Sequence, residues 1–309
     1  MRVRFSLLVV STAGVAAAAS LPVTGLHKVE HTVWQNFQSR PGRTVAVKAF
    51  YPADRARGPF PLLLFSPGYG AKPSQYSSQL EDLVSHGYVV AGLEHSADDL
   101  DSFEARAALW AQDIVAAKQE VLSSSIREII DGHKIGAFGH SLGGRAAAGA
   151  CLLDATILAC LNEDGSNDDV QLKRPYWPIE GRDFAGAFAM VDWFDPGISD
   201  EDLRAMGKTR EQYAASRLEP PPSALSAYRA ARRGAIRITM LTPGMQHTAF
   251  TDDLWANASS DNQRARYADY LSTVRVITLQ FFDLALHASS VCDVVVKEAY
   301  TQCFKPTGR

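Results

Sequence analysis

Residues 134–144 read KIGAFGHSLGG, and this stretch decides the fold. The apolar residues before Gly139 have the length of a buried strand, and SLGGRAAAGACLLD (141–154) has helical composition. Ser141 therefore occupies a G-x-S-x-G turn between a strand and a helix, the context in which that pattern presents a nucleophile. Such a turn holds the serine in a strained backbone conformation. Side chains at Gly139 and Gly143 would collide with the neighbouring strand and helix. The hydroxyl then stands at a helix N-terminus, where free N–H groups and the dipole favour a developing negative charge.

The chain around this turn alternates strands with helices. RTVAVKAFY (43–51) alternates in hydropathy, PLLLFS (61–66) is a solid apolar run ending at PGYG, and YVVAGLEH (88–95) is a further strand. Between them SSQLEDLVSHG (77–87) has helical spacing with a glycine stop, and ARAALWAQDIVAAKQEVLSS (105–124) is an amphipathic helix. ATILACLNEDG (155–165), FAGAFAMVDW (184–193) and IRITMLTPGMQH (236–247) supply later strands, and YADYLSTVRVITLQFFDLALHA closes the chain as a helix. This order predicts an α/β domain with a mostly parallel sheet. Residues 197–234 carry polar helices broken by prolines, the pattern of a cap or rim over the carboxyl edge of the sheet.

Composition narrows the class. The chain has 309 residues, 46% apolar and 21% charged, with a formal net charge of -3, enough for a sizeable core and without a basic footprint for nucleic acid. The start, MRVRFSLLVVSTAGVAAAAS, has two early arginines, a short apolar run and an alanine cluster, which predicts a signal peptide over 1–19 and an exported domain over 20–309. No later stretch is long and apolar enough to span a membrane. In an oxidising compartment Cys292 and Cys303 could staple the C-terminal tail, whereas Cys151 and Cys160 either pair or are simply buried. No CxxC or HxxxH spacing suggests a metal site.

A neutral serine needs a base, and in this strand–turn–helix arrangement the acid and then the histidine follow it in the chain. His247, in the loop TPGMQHTAF after the last strand, is the predicted base; the other downstream histidine, His287, lies in the closing helix. His95, at a strand end, is a candidate pocket residue, and His140 is assigned no proton transfer. Two strand ends offer the acid that orients the imidazole, Asp164 in LACLNEDGS and Asp192 in FAMVDWF, and spacing does not decide between them. For an oxyanion hole, Leu142 offers its backbone N–H, and the SPGYG loop (66–70) offers that of Tyr69, with the phenol as a wall of the pocket. Trp177 and Trp193 are candidates for an apolar acyl cleft.

With these residues in hand, the chain resembles the platelet-activating-factor acetylhydrolase family of α/β-hydrolases, and more distantly the bacterial cutinases and polyester hydrolases. TVAVKAFYPA, PLLLFSPGYG, LVSHGYVVAGLEHSADD, IGAFGHSLGGRAA, ILACLNEDG and GMQHTAFTD carry the likeness. It implies Ser141 as nucleophile, His247 as base and Asp164 as acid, since that family holds its aspartate at the end of the strand after the elbow helix. Acetylhydrolases typically carry SHGLG where this chain has SPGYG, and PGY is the form of the polyester hydrolases. The implied protein is a secreted serine carboxylic ester hydrolase acting on short acyl esters, without metal or organic cofactor and with a small-molecule or lipid ester as its partner. The alternatives are a polyesterase or lipase acting on insoluble esters, and an inactive hydrolase fold that only binds.

Overall fold

The computed structural model describes residues 20–96, 100, 102–165, 168–169, 174–175, 184–219, 228–229, 231–287 and 289–305. The predicted signal peptide, Trp177 and residues 220–227 of the insertion lie outside them. A nine-stranded sheet forms the centre. Its strands are β1 (Val29–Arg40), β2 (Arg43–Pro52), β3 (Phe60–Ser66), β4 (Val89–His95), β5 (Ile130–His140), β6 (Ala159–Glu163), β7 (Ala187–Phe194), β8 (Ala235–Leu241) and β9 (Ala299–Phe304). They lie in the order β1-β2-β4-β3-β5-β6-β7-β8-β9. From β4 to β8 every neighbouring pair is parallel, whereas β1, β2 and β9 pair antiparallel. Residues 168–169 and 174–175 form a separate two-stranded ladder.

The solid apolar strands are buried on both faces because helices cover both. On one side Leu62 and Leu64 pack with α2 (Phe103–Ser123) and α3 (Leu142–Leu153). On the other, Leu63 and Phe65 pack with α1 (Ser77–Ser85) and the closing helix α6 (Asp261–Leu286). Period-two alternation sends successive side chains into the two cores. The helix ends carry local signals: Ser102 accepts from the Ala105 N–H at the start of α2, Ser260 from that of Gln263 at the start of α6, and Gly87, at φ +92°, follows the end of α1. None of the helices described is long and apolar enough to cross a membrane.

Two edge strands depart from the sequence reading. Neither β1 nor β9 was expected, because VEHTVWQNFQSR and AYTQCF are partly polar and lie at the margins of the sheet. Both cysteine pairs are joined as disulfides, Cys151 to Cys160 and Cys292 to Cys303, the second tying β9 to the turn before it. In the insertion, α4 (Asp200–Ala205) and α5 (Arg210–Leu218) pack around Ile198, Leu203 and Tyr213, a small core distinct from the two main ones. A parallel sheet sends the carboxyl ends of its strands to one rim, where β5, β6 and the loop after β8 deliver Ser141, Asp164 and His247.

Candidate active site

Ser141 has φ 55° and ψ -123°, a left-sided conformation for a residue with a β-carbon. The turn is held by contacts that only glycines permit. A Cβ on Gly139 would lie 2.2 Å from the Ser66 carbonyl oxygen, and one on Gly143 would lie 2.0 Å from the same atom. Gly144 is a third such position, where a Cβ would meet Asn162 Oδ1 at 2.2 Å. The Ser141 N–H donates to the Glu163 carbonyl at 2.8 Å, so the elbow is also tied to β6.

The imidazole of His247 lies between the other two predicted groups. Its Nε2 is 2.9 Å from Ser141 Oγ, and its Nδ1 is 2.6 Å from Asp164 Oδ2. A carboxylate at Nδ1 selects the tautomer with a proton there, leaving Nε2 to accept from the serine. Asp164 also accepts from Trp193 Nε1 at 2.7 Å and has Arg217 Nη1 3.9 Å from its other oxygen. Its own backbone is at φ 48°. The Arg217 guanidinium lies 4.4 Å over the Trp193 ring. These residues line a cleft of about 430 Å³ together with Tyr69, Phe103, Leu142 and Arg145.

The competing acid is engaged elsewhere. Asp192 is buried and receives two hydrogen bonds from Arg237, at 2.8 and 3.0 Å from one carboxylate oxygen. Burial raises its pKa despite that cation. It makes no contact with His247, so of the two candidates only Asp164 joins the constellation. His95 does not line this cleft either. It borders a second one, of about 270 Å³, and Tyr69 borders both.

Leu142 is the first residue of α3, and the opening N–H groups of a helix have no intrahelical acceptor. Tyr69 is 60% exposed, with its ring edge-on to Phe103 at 5.6 Å and the Arg106 guanidinium 4.7 Å over its face. The phenol therefore stands at the mouth of the cleft. Before it, the Gly68 N–H donates to the Tyr76 hydroxyl at 3.1 Å, and that hydroxyl lies 2.9 Å from His140 Nδ1. His140 is buried, stacks on Phe250 at 5.2 Å and lies 4.5 Å from the His247 ring. Burial and the neighbouring His247 push its pKa down to about 3, so it stays neutral.

Among the described residues, His140, Asp164 and His247 also have metal-ligand spacing, with ligand atoms within 4.8 Å of one another. Most of their donors face other groups: His140 Nδ1 faces Tyr76, and Asp164 bonds His247 and Trp193, whereas His140 Nε2 is buried without a hydrogen-bond partner. Asp164 and His247 thus belong to the hydrogen-bonded chain on Ser141, and His140 packs beside it. Arg145, Arg217 and Phe103 were not foreseen as lining residues. An arginine in a polar insertion helix gives no sign of which face meets the cleft.

Residues 16–168, just under half of the chain, match a family described as PET hydrolase-like. The matched span holds Tyr69, Ser141 and Asp164 but ends before His247. No curated protein matches the chain. Among solved structures, a ferulic acid esterase from Streptomyces cinnamoneus has a similar fold, with a TM-score of 0.61 and 19% identity over 92% of this chain and 98% of that one. Of the two groups the sequence resembles, the family match falls on the more distant one, the polyester hydrolases. Strand order, the elbow between β5 and α3, and the likeness to that solved structure show an α/β-hydrolase fold.

Proposed function

We propose that the protein is a carboxylic ester hydrolase that works through an acyl-enzyme on Ser141. The observation that carries this reading is the 2.9 Å contact between Ser141 Oγ and His247 Nε2, continued at 2.6 Å to Asp164 and opening on a cleft. Ser141 Oγ attacks the ester carbonyl as its proton passes to His247 Nε2. The Asp164 carboxylate, accepting from Nδ1–H, stabilises the imidazolium that forms. The N–H groups of Leu142 and Tyr69 receive the oxyanion. The imidazolium then gives its proton to the leaving alcohol, and water repeats the cycle on the acyl-enzyme.

Short acyl esters are the first substrate class. A second reading, a polyester or aryl ester, is favoured by the PET hydrolase-like match and by the aromatic mouth of Tyr69 and Phe103. Export of the chain is proposed with it. Two disulfides belong to an oxidising compartment, in keeping with the leader-like N-terminus. A fluorophosphonate probe tests the mechanism: it labels Ser141 only if the serine is activated, and an unlabelled protein would be the inactive binder. Rates on p-nitrophenyl esters of graded acyl length, set against release of products from a polyester film, separate the substrate classes.

A further inference from the structure

A second serine–histidine–aspartate array lies behind the loop that carries Tyr69. Ser66 Oγ is 2.9 Å from His95 Nε2, and His95 Nδ1 is 2.9 Å from Asp113 Oδ2. Asp113 is clasped by Arg43, at 2.7 Å from Nη2 and 2.9 Å from Nε, and accepts from Ser39 Oγ at 2.7 Å. Trp110 stacks flat on the imidazole at 4.0 Å. Burial alone would raise the Asp113 pKa, but the hydrogen bonds from His95 and Arg43 outweigh it and hold the group ionised. The array draws on β1, β2, β3, β4 and α2.

Among the described residues the reacting side chains of this array are closed to a substrate, although His95 borders the cleft of about 270 Å³. Ser66 and Asp113 have no exposed surface, and the imidazole of His95 is 1% exposed. Ser66 lies in a regular strand, paired with Gly139, and no helix begins directly after it to receive an oxyanion. Its position is nevertheless fixed from two sides. The Ser66 carbonyl fills the space that Gly139 and Gly143 leave open, while its hydroxyl is held by His95. Three residues later comes Tyr69. The next anchor of the loop is the Gly68 N–H on Tyr76.

We propose that Ser66, His95 and Asp113 are positioning residues for the oxyanion loop, setting where the Tyr69 N–H points relative to Ser141. The inference rests on the esterase reading above. With Asp113 accepting from Nδ1–H, His95 offers Nε2 as an acceptor and Ser66 donates to it, so the hydroxyl has one direction. Backbone donors act on a developing oxyanion only when aimed at it beforehand, and a small misplacement lowers turnover without weakening substrate binding. A buried ion pair is weak evidence for stability alone, since apolar packing of equal volume serves as well. A role in fixing one loop geometry accounts for a polar array at this place.

The test uses the processed full-length chain and two variants. Ser66→Ala removes the hydroxyl and leaves His95 on Asp113; His95→Asn keeps a donor toward Asp113 and releases Ser66. Rates on a p-nitrophenyl ester are expressed per active site titrated with a fluorophosphonate. The expected result is full titration, kcat lowered about tenfold or more, KM within about twofold, and a Ki for a trifluoromethyl ketone weakened in the same ratio as kcat/KM. A kcat within threefold of the parent, a change confined to KM, or a loss seen only as fewer titratable sites would each overturn the inference. A parent that is itself neither labelled nor active would overturn the esterase reading, and this one with it.

Discussion

The two serine–histidine–aspartate arrays of this molecule have nearly the same contact distances and opposite surroundings. Around Ser141 the backbone is strained to φ 55°, a helix begins one residue later, and His247 is 49% exposed beside a cleft. Around Ser66 the backbone is extended strand, and the acid is fully buried beneath Arg43. The chain of hydrogen bonds is thus common to both, and what differs is access, strain and a source of oxyanion donors. In the proposed mechanism those three features, more than the residue types, assign the nucleophile to Ser141.

The largest break between the arrays comes from the serines. Ser141→Ala is expected to lower turnover of an activated ester by a factor on the order of a million, whereas Ser66→Ala leaves most of that acceleration. Initial rates on p-nitrophenyl acetate check this directly, and a Ser141→Ala variant within tenfold of the parent would end the mechanism. Next come the acids. Asp164→Asn is expected to reduce kcat by about ten thousandfold, because the amide no longer selects the Nδ1–H tautomer, with the fold intact. Asp113→Ala should act chiefly on stability, beside the smaller loss of kcat expected of the positioning array. It leaves the Arg43 cation buried without its carboxylate and is expected to destabilise the protein by about 3–5 kcal/mol in urea unfolding. Asp192→Ala, which unpairs Arg237, belongs with Asp113 and not with Asp164.

A smaller effect sharpens the open array alone. Trp193→Phe deletes the N–H donated to Asp164 at 2.7 Å while keeping a ring under Arg217. Hydrogen bonds to charged groups contribute about 1.5–3 kcal/mol, so kcat should fall about ten- to a hundredfold. KM for a small ester should move little, and a change only in KM would assign Trp193 to the acyl pocket instead.

Much of the open array was legible in the sequence because each part leaves a local mark. The elbow is a contiguous motif, His247 follows the last strand, and Asp164 ends the strand after the elbow helix. The choice between Asp164 and Asp192 was not legible from spacing, since both end a strand; in the structure Arg237, the third residue of β8, holds Asp192, and His247 meets Asp164. The closed array was invisible for a different reason. Ser39, Arg43, Ser66, His95 and Asp113 stand far apart in the chain and only sheet order brings them together, so His95 read as a pocket residue. The edge strands β1 and β9 carry polar residues on their open faces and lack the apolar runs that marked the central strands.

The last expected effect, on stability and not on turnover, concerns what lies beneath each array. Asp113 is held ionised under the closed one, but the carboxyl beneath the open one is Glu163, fully buried with Gln79 and the Thr278 hydroxyl as neighbours and no partner on Oε2. Burial raises its pKa from 4.5 to about 7. A carboxyl raised on folding binds its proton more tightly in the native state, so the stability it contributes is complete below pH 4.5 and is lost as pH rises toward and through 7. The loss should reach on the order of 3 kcal/mol. Glu163→Gln keeps the neutral shape and cannot ionise. Relative to this variant, the parent should lose unfolding free energy between pH 4.5 and 8, measured in urea with Tm as a second readout. Parallel pH profiles for the two proteins would mean that Glu163 is ionised throughout, and that the open array rests on a charge as the closed one does.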